Sequence, residues 1–194
     1  MSPPLLAPNP LLLIGGGAGS GKTTLARTLA THLPGAGLIH LDDCFHADTY
    51  SAPTVPRLDG PGRVIDFSDP RSLDPAKIDA ALTLHADSAL TIVEGTFALT
   101  LATSTSTSTS ASTSTSTGPR PRWRVFVDTP PDIRVIRKTL RKLAEGRDPR
   151  PGLLAHAHSS RSHARYVEPT RTSPIWYSTA SSPPAPSRRR SRPS

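Results

Sequence analysis

Residues 16–23 read Gly-Gly-Ala-Gly-Ser-Gly-Lys-Thr and fit the pattern G-x-x-x-x-G-K-[ST] at every fixed position. Glycines at this density let a backbone wrap around an anion so that successive N–H groups face it, and a helix beginning there adds the positive end of its dipole. The chemistry expected is nucleotide binding. Gly16, Gly17, Ala18, Gly19, Ser20, Gly21 and Thr24 form the cradle, Lys22 contacts the β/γ-phosphates, and Thr23 offers its hydroxyl to Mg2+. Phosphoryl transfer further needs a group that orients or deprotonates the acceptor, a metal-handling carboxylate, and cations around the moving group. Asp42 or Asp43 can take a proton from a substrate hydroxyl, although such a pair also serves as a solvated turn or a helix cap. Glu94 stands where a carboxylate binds Mg2+ directly or through water. Arg134, Arg137, Arg141 and Arg147 can close over a triphosphate as a lid, or form a solvated helix face.

These residues work only if strands and helices deliver them to one place. Residues 11–14, Leu-Leu-Leu-Ile, read as a short buried strand, and Leu25, Ala26, Leu29, Ala30 and Leu33 recur at helical spacing after the loop. A second strand over residues 37–41 delivers Asp42 and Asp43 at its end, a third over 89–93 delivers Glu94, and a fourth over 123–127 ends at Asp128. Residues 44–69 hold no period and carry recurrent Pro and Gly, which reads as a long functional loop. Ser72 or Asp74 is placed to cap a helix bearing Ile78, Ala81 and Leu82. After Pro130 and Pro131 a helix carries the arginines on one side and Ile133, Ile136, Leu140 and Leu143 on the other, and residues 153–167 read as further helix. Strands that end in chemistry and are each followed by a helix predict an α/β fold with a parallel sheet, helices on both faces, and ligands at the carboxyl edge.

The composition allows one such domain with appended segments. The chain has 194 residues, 22 of them Pro, and only 5% aromatic residues. The organisation expected is a loose lead over residues 1–9, a domain over 10–171 interrupted by a Ser/Thr-rich insertion at 103–118, and a Pro/Ser/Arg tail over 172–194; the insertion and the tail have no apolar face to bury and are expected to be disordered. The net charge of +8 invites a nucleic-acid reading, but five arginines lie beyond the last acid, Glu168, and leave only +3 for the rest. Nucleic acid is therefore a weak expectation and a small-molecule substrate the stronger one, with no membrane partner. A single cysteine, Cys44, excludes an internal disulfide, and His156, His158 and His163 lack the cysteines or acids of a zinc site. With no signal-like segment, a cytoplasmic, intracellular location is expected.

Together these motifs resemble the uridine kinase and nicotinamide riboside kinase group of phosphate-loop nucleoside kinases. Leu41-Asp42-Asp43-Cys44-Phe45 resembles that family's D-[DS]-F-[FY] signature and Ile92-Val93-Glu94-Gly95 its I-x-E-G, while residues 134–148 look like its lid and residues 166–171 like its Pro-Thr-Lys element. The resemblance implies a phosphate-loop fold, ATP and Mg2+ as cofactors, Asp42 as the base, Thr23 and Glu94 at the metal, and Arg141 and Arg147 as lid cations. It also implies an acid in the long loop that contacts ribose; Ser68 aligns with it, so Asp66 or Asp69 is expected to substitute, with Asp43 and His46 near the substrate. Beyond Arg171 the family continues into a further core strand, expected beside the first strand, which this sequence leaves open to being missing. The activity implied is transfer of the γ-phosphoryl group of ATP to the 5′-hydroxyl of a ribonucleoside such as uridine, cytidine or nicotinamide riboside. The same fold acting on another metabolite hydroxyl, or a nucleotide-binding module without turnover, are the alternatives.

Overall fold

Apolar residues at consecutive positions of a strand can all be buried only if both faces of the sheet are covered. The computed structural model, which describes residues 9–101, 122–172 and 176–178, answers that requirement with helices on both sides. Five strands, β1 (Leu11–Gly15), β2 (Ala36–His40), β5 (Leu90–Glu94), β6 (Arg122–Asp128) and β7 (Trp176–Ser178), form one parallel sheet in the order β2-β5-β1-β6-β7. Leu11 and Leu13 of β1 face a core with Ile39, Val93, Phe97, Leu99, Phe126 and Ile78 of helix α2 (Pro75–Leu84). Ile14 faces the other core, where Ile92 and Val127 meet Ala26, Leu25 and Leu29 of helix α1 (Lys22–His32). The predicted α/β phosphate-loop fold, with its three layers, is thus the observed one.

Local signals account for the boundaries. α2 begins at Pro75 with Asp74 accepting a hydrogen bond from the Ala76 amide, the side-chain cap its sequence offers. The segment read as a structureless loop contains a small antiparallel hairpin, β3 (Thr54–Pro56) with β4 (Arg63–Ile65). Helix α3 (Pro131–Ala144) is followed by two short helices, α4 (Arg150–Leu154) and α5 (His156–Ser162), then a π-turn (His163–Val167) and a 3-10 turn (Glu168–Thr172). Residues 153–167, read as one helix, are therefore broken into three pieces. No described helix is long and apolar enough to cross a membrane.

The C-terminal edge needs a correction. Trp176–Ser178 pair in parallel with Phe126–Asp128, so a short last strand is present at the edge beside β6. It does not border β1, because β5 and β6 already occupy both edges of β1. The Ser/Thr insertion, the N-terminal residues 1–8, and the rest of the tail lie outside the described residues.

Ile92 has no exposed surface and joins β5 to the α1 side of the sheet. Ile92→Ala should lower stability by about 2–5 kcal/mol, seen as a lower urea midpoint at unchanged slope. A loss under 1 kcal/mol would show that the α1-side core is not formed as described.

Candidate active site at the carboxyl edge of the sheet

The loop between β1 and α1 is shaped by what lies over it. Gly19 has φ +84°, and a Cβ there would come within 2.5 Å of the Arg134 carbonyl oxygen; a Cβ on Gly17 would overlap the Arg134 guanidinium. The first turn of α3 thus rests on the loop, and only glycine allows so close an approach. Thr129, just beyond β6, donates its hydroxyl to the Ser20 carbonyl at 3.1 Å and ties the loop from below. α1 starts without a side-chain cap and without an acid in its first turn. Its leading amides and its positive end are therefore left for an external anion.

Lys22, 7% exposed, turns its ammonium back onto the Gly17 carbonyl at 3.0 Å. Burial lowers its pKa from 10.5 to about 8, against the opposing pull of Glu94 and Asp42. Thr23 donates its hydroxyl to Glu94 Oε1 at 2.9 Å, and His40 Nδ1 meets the same oxygen at 2.7 Å. Glu94 is buried at the end of β5 and pairs in register with His40 at the end of β2. Asp42 follows in the 3-10 turn Leu41–Cys44. It is open to solvent on one side yet set in a concave wall; that burial raises its pKa, and Lys22 partly offsets the rise.

Two hollows flank α3. One, of about 490 Å3, is bordered by Gly19 and Gly21 of the loop, by Lys22, Thr23 and Thr24 at the start of α1, and by Arg137, Lys138 and Arg141. The other, of about 480 Å3, has Asp42, Phe45, Phe67 and Ser68 on one side and Arg134, Lys138, Arg141, Ser162 and His163 on the other. Phe45 and Phe67 stand edge to face with ring centroids 5.1 Å apart. Burial, then Arg134, push His163 below its usual pKa, so the imidazole there favours its neutral form.

The structure gathers Lys22, Thr23, Asp42, Glu94 and Arg141 around one edge, with Gly16, Ala18 and Ser20 in the loop before α1 and Thr24 in its first turn. Five other expected residues lie elsewhere. Arg147 is exposed and pairs with Glu145 at 3.3 Å. Asp43 is exposed and borders neither hollow. His46 faces Asp74 at the start of α2, 3.7 Å away. Asp69 caps the 3-10 turn Pro70–Ser72 and holds Arg71. Asp66 receives His158 Nε2 at 3.0 Å on both oxygens, while Ser162 donates to the Ser68 carbonyl; together they fasten α5 to the long loop. Phe67 and Ser68 from this loop border the hollow, not the acids on either side.

Sequence reasoning left His40 unnamed, although its place at a strand end beside Glu94 is the signal that points to it. It also expected an apolar side on α3 without foreseeing its orientation. Ile136, Leu140 and Leu143 are more than half exposed, and the partly covered residues are Ile133, Arg134, Val135, Lys138, Thr139 and Lys142, three of them cationic. Helical periodicity identifies the apolar stripe; what lies beneath the helix decides which stripe is covered.

No family model matches the sequence, and no curated protein matches it. Forty-three chains of solved structures match. One is a protein described as a fructose transport system kinase from Silicibacter sp. TM1040, at 15% identity and a TM-score of 0.48, over 90% of this chain and 92% of that one.

Below pH 8 Lys22 is charged in both folded and unfolded chains, and its burial disfavours the folded state. At about 1.36 kcal/mol per pKa unit the cost is of order 3 kcal/mol. It is relieved as pH rises from about 8 toward 10.5, where the unfolded chain binds the extra proton. Lys22→Met should be more stable than the wild type at pH 7 and lose this rise; equal pH slopes in denaturant unfolding would show that Lys22 is not desolvated.

Proposed function

We propose that this chain is an ATP- and Mg2+-dependent small-molecule kinase that phosphorylates the 5′-hydroxyl of a ribonucleoside, uridine, cytidine or nicotinamide riboside among them. The observation that carries the reading is the meeting of three sequence-distant groups at the phosphate loop. Lys22 opens α1 and bonds back to the loop, Glu94 bonds Thr23 beside it, and Asp42 borders the neighbouring hollow. An NTPase that acts on water has no need of an organic acceptor hollow next to its phosphate cradle. The aromatic pair Phe45 and Phe67 with nearby serines suits a flat polar heterocycle.

The residues present fit a magnesium ion held jointly with phosphate. Among the described residues no cluster of three His, Cys, Asp or Glu makes a self-sufficient metal site. Thr23 and Glu94 instead offer hard oxygens 2.9 Å apart next to the cradle, the sparse donor set that Mg2+ accepts when phosphates supply the rest. When bound, the ion would neutralise developing charge on the phosphate oxygens. The chain's own part is then positional. The loop amides and Lys22 hold the triphosphate, and Lys138 and Arg141 border both hollows and face charge from either side.

Asp42 orients the acceptor hydroxyl and takes its proton. Its raised pKa moves it toward the operating pH, where a general base works best. Binding of a triphosphate against Lys22 restores the ammonium that burial disfavours, so nucleotide affinity should fall as pH rises through about 8.

A panel of nucleosides with radiolabelled ATP tests the reading. Transfer to at least one nucleoside is expected, and Asp42→Asn should lower kcat by roughly 10²–10⁴-fold with nucleotide affinity little changed. Transfer to none of the panel by the intact chain would sink the nucleoside-kinase reading. Undiminished turnover by the variant would remove Asp42 from the role of base.

A further inference from the structure

We infer that His40 is a positioning residue: it holds the Glu94 carboxylate in the orientation that serves the metal, and so sets metal affinity at the nucleotide site. The inference rests on the kinase reading above. His40 and Glu94 are register partners on adjacent parallel strands, so their side chains leave the same face of the sheet. His40 Nδ1 lies 2.7 Å from Glu94 Oε1, and the Thr23 hydroxyl donates to that same oxygen at 2.9 Å. The carboxylate is acceptor-only when ionised, so Nδ1 carries the proton and His40 is the donor. Both protein donors converge on Oε1, and no hydrogen bond to Oε2 is present among the described residues.

That asymmetry has a chemical consequence. A carboxylate held by Thr23 alone can swing about its last bonds, since Thr23 sits on α1 and its hydroxyl rotates freely. A second donor from a different strand fixes the carboxylate plane. Oε2 is then directed as a ligand, or as an acceptor for a metal-bound water, while the Thr23 oxygen keeps a lone pair for the metal. Glu94 is 5% exposed, so water does not readily replace the lost donor, and a buried carboxylate deprived of one partner moves to find another. The hydrogen bond that orients a metal-binding group from behind is commonly worth 10–100-fold in metal affinity.

The test measures Mn2+ binding by electron paramagnetic resonance with the full chain and ADP, beside ADP affinity in EDTA. His40→Leu removes the donor and is expected to weaken Mn2+ binding about 10-fold or more, while leaving metal-free ADP affinity within about threefold of the wild type. His40→Asn, whose amide N–H stands near the place of Nδ1, is expected to recover most of the loss. If Leu at this strand end prevents folding, His40→Ala with and without added imidazole replaces it, and imidazole should restore Mn2+ affinity. Wild-type Mn2+ affinity in His40→Leu overturns the inference and leaves the kinase reading standing. An Asn variant as weak as Leu also overturns it, because then the ring's bulk matters and not its donor. A wild-type chain that holds no Mn2+ with ADP overturns both.

Discussion

The site depends on β1 being enclosed. With β5 on one side and β6 on the other, both in parallel register, β1 has no freedom to slide, and the chain must leave it at Gly15 into a hollow walled by its neighbours' ends. Slipping one residue in a parallel sheet covered on both faces would exchange Leu13 with Ile14 between two differently shaped cores. The burial that fixes the register therefore also fixes where His40, Glu94, Gly16 and Thr129 stand relative to one another. Hydrophobic packing thus determines the geometry of a polar site.

Electrostatics works against the fold at the same place. Lys22 is buried with a carbonyl as its hydrogen-bond partner, and Lys138 is pushed below its ordinary pKa by burial and by Lys142 and Arg141. Neither Lys138 nor Lys142 forms an ion pair among the described residues. Acids are not scarce nearby: Glu145 meets Arg141 and Arg147, and Glu168 and Asp128 meet Arg171. They are kept to the rim, where ion pairs are worth little. A protein selected for stability alone would place a carboxylate under α3; leaving it out keeps the local field positive.

The legible parts of this chain are those governed by local rules. The glycine-rich loop, the four long strands and the Asp74 cap follow from spacing and from residue type, and Asp42 and Glu94 lie on one side because strand ends in a parallel sheet share an edge. The illegible parts depend on contacts between distant segments. Asp66 and Asp69 looked equally suited to a ligand, but Asp69 is consumed by the amide two residues on and by Arg71, and Asp66 by His158, 92 residues away. No spacing rule separates an acid that meets a substrate from one that meets a histidine. The strand Trp176–Ser178 was obscured for another reason: three residues at a sheet edge carry too short a pattern to stand out from the Ser- and Pro-rich sequence around them.

α3 joins the two hollows into one device. Lys138 and Arg141 border both, so the hollows share a wall that is a single helix and cannot be reshaped on one side alone. That helix is held to the body at its first turn, where Arg134 reaches the Thr129 carbonyl and covers the loop, and through α4 and α5, which return the chain to the long loop by way of His158 and Ser162. Its outward face of Ile136, Leu140 and Leu143 contributes nothing to a core, so little apolar burial holds it down. Elements with few buried apolar contacts open at low free energy. A wall fixed at both ends by polar contacts, with Lys138 bordering both hollows and in no ion pair among the described residues, is held by those contacts more than by the hydrophobic core behind it.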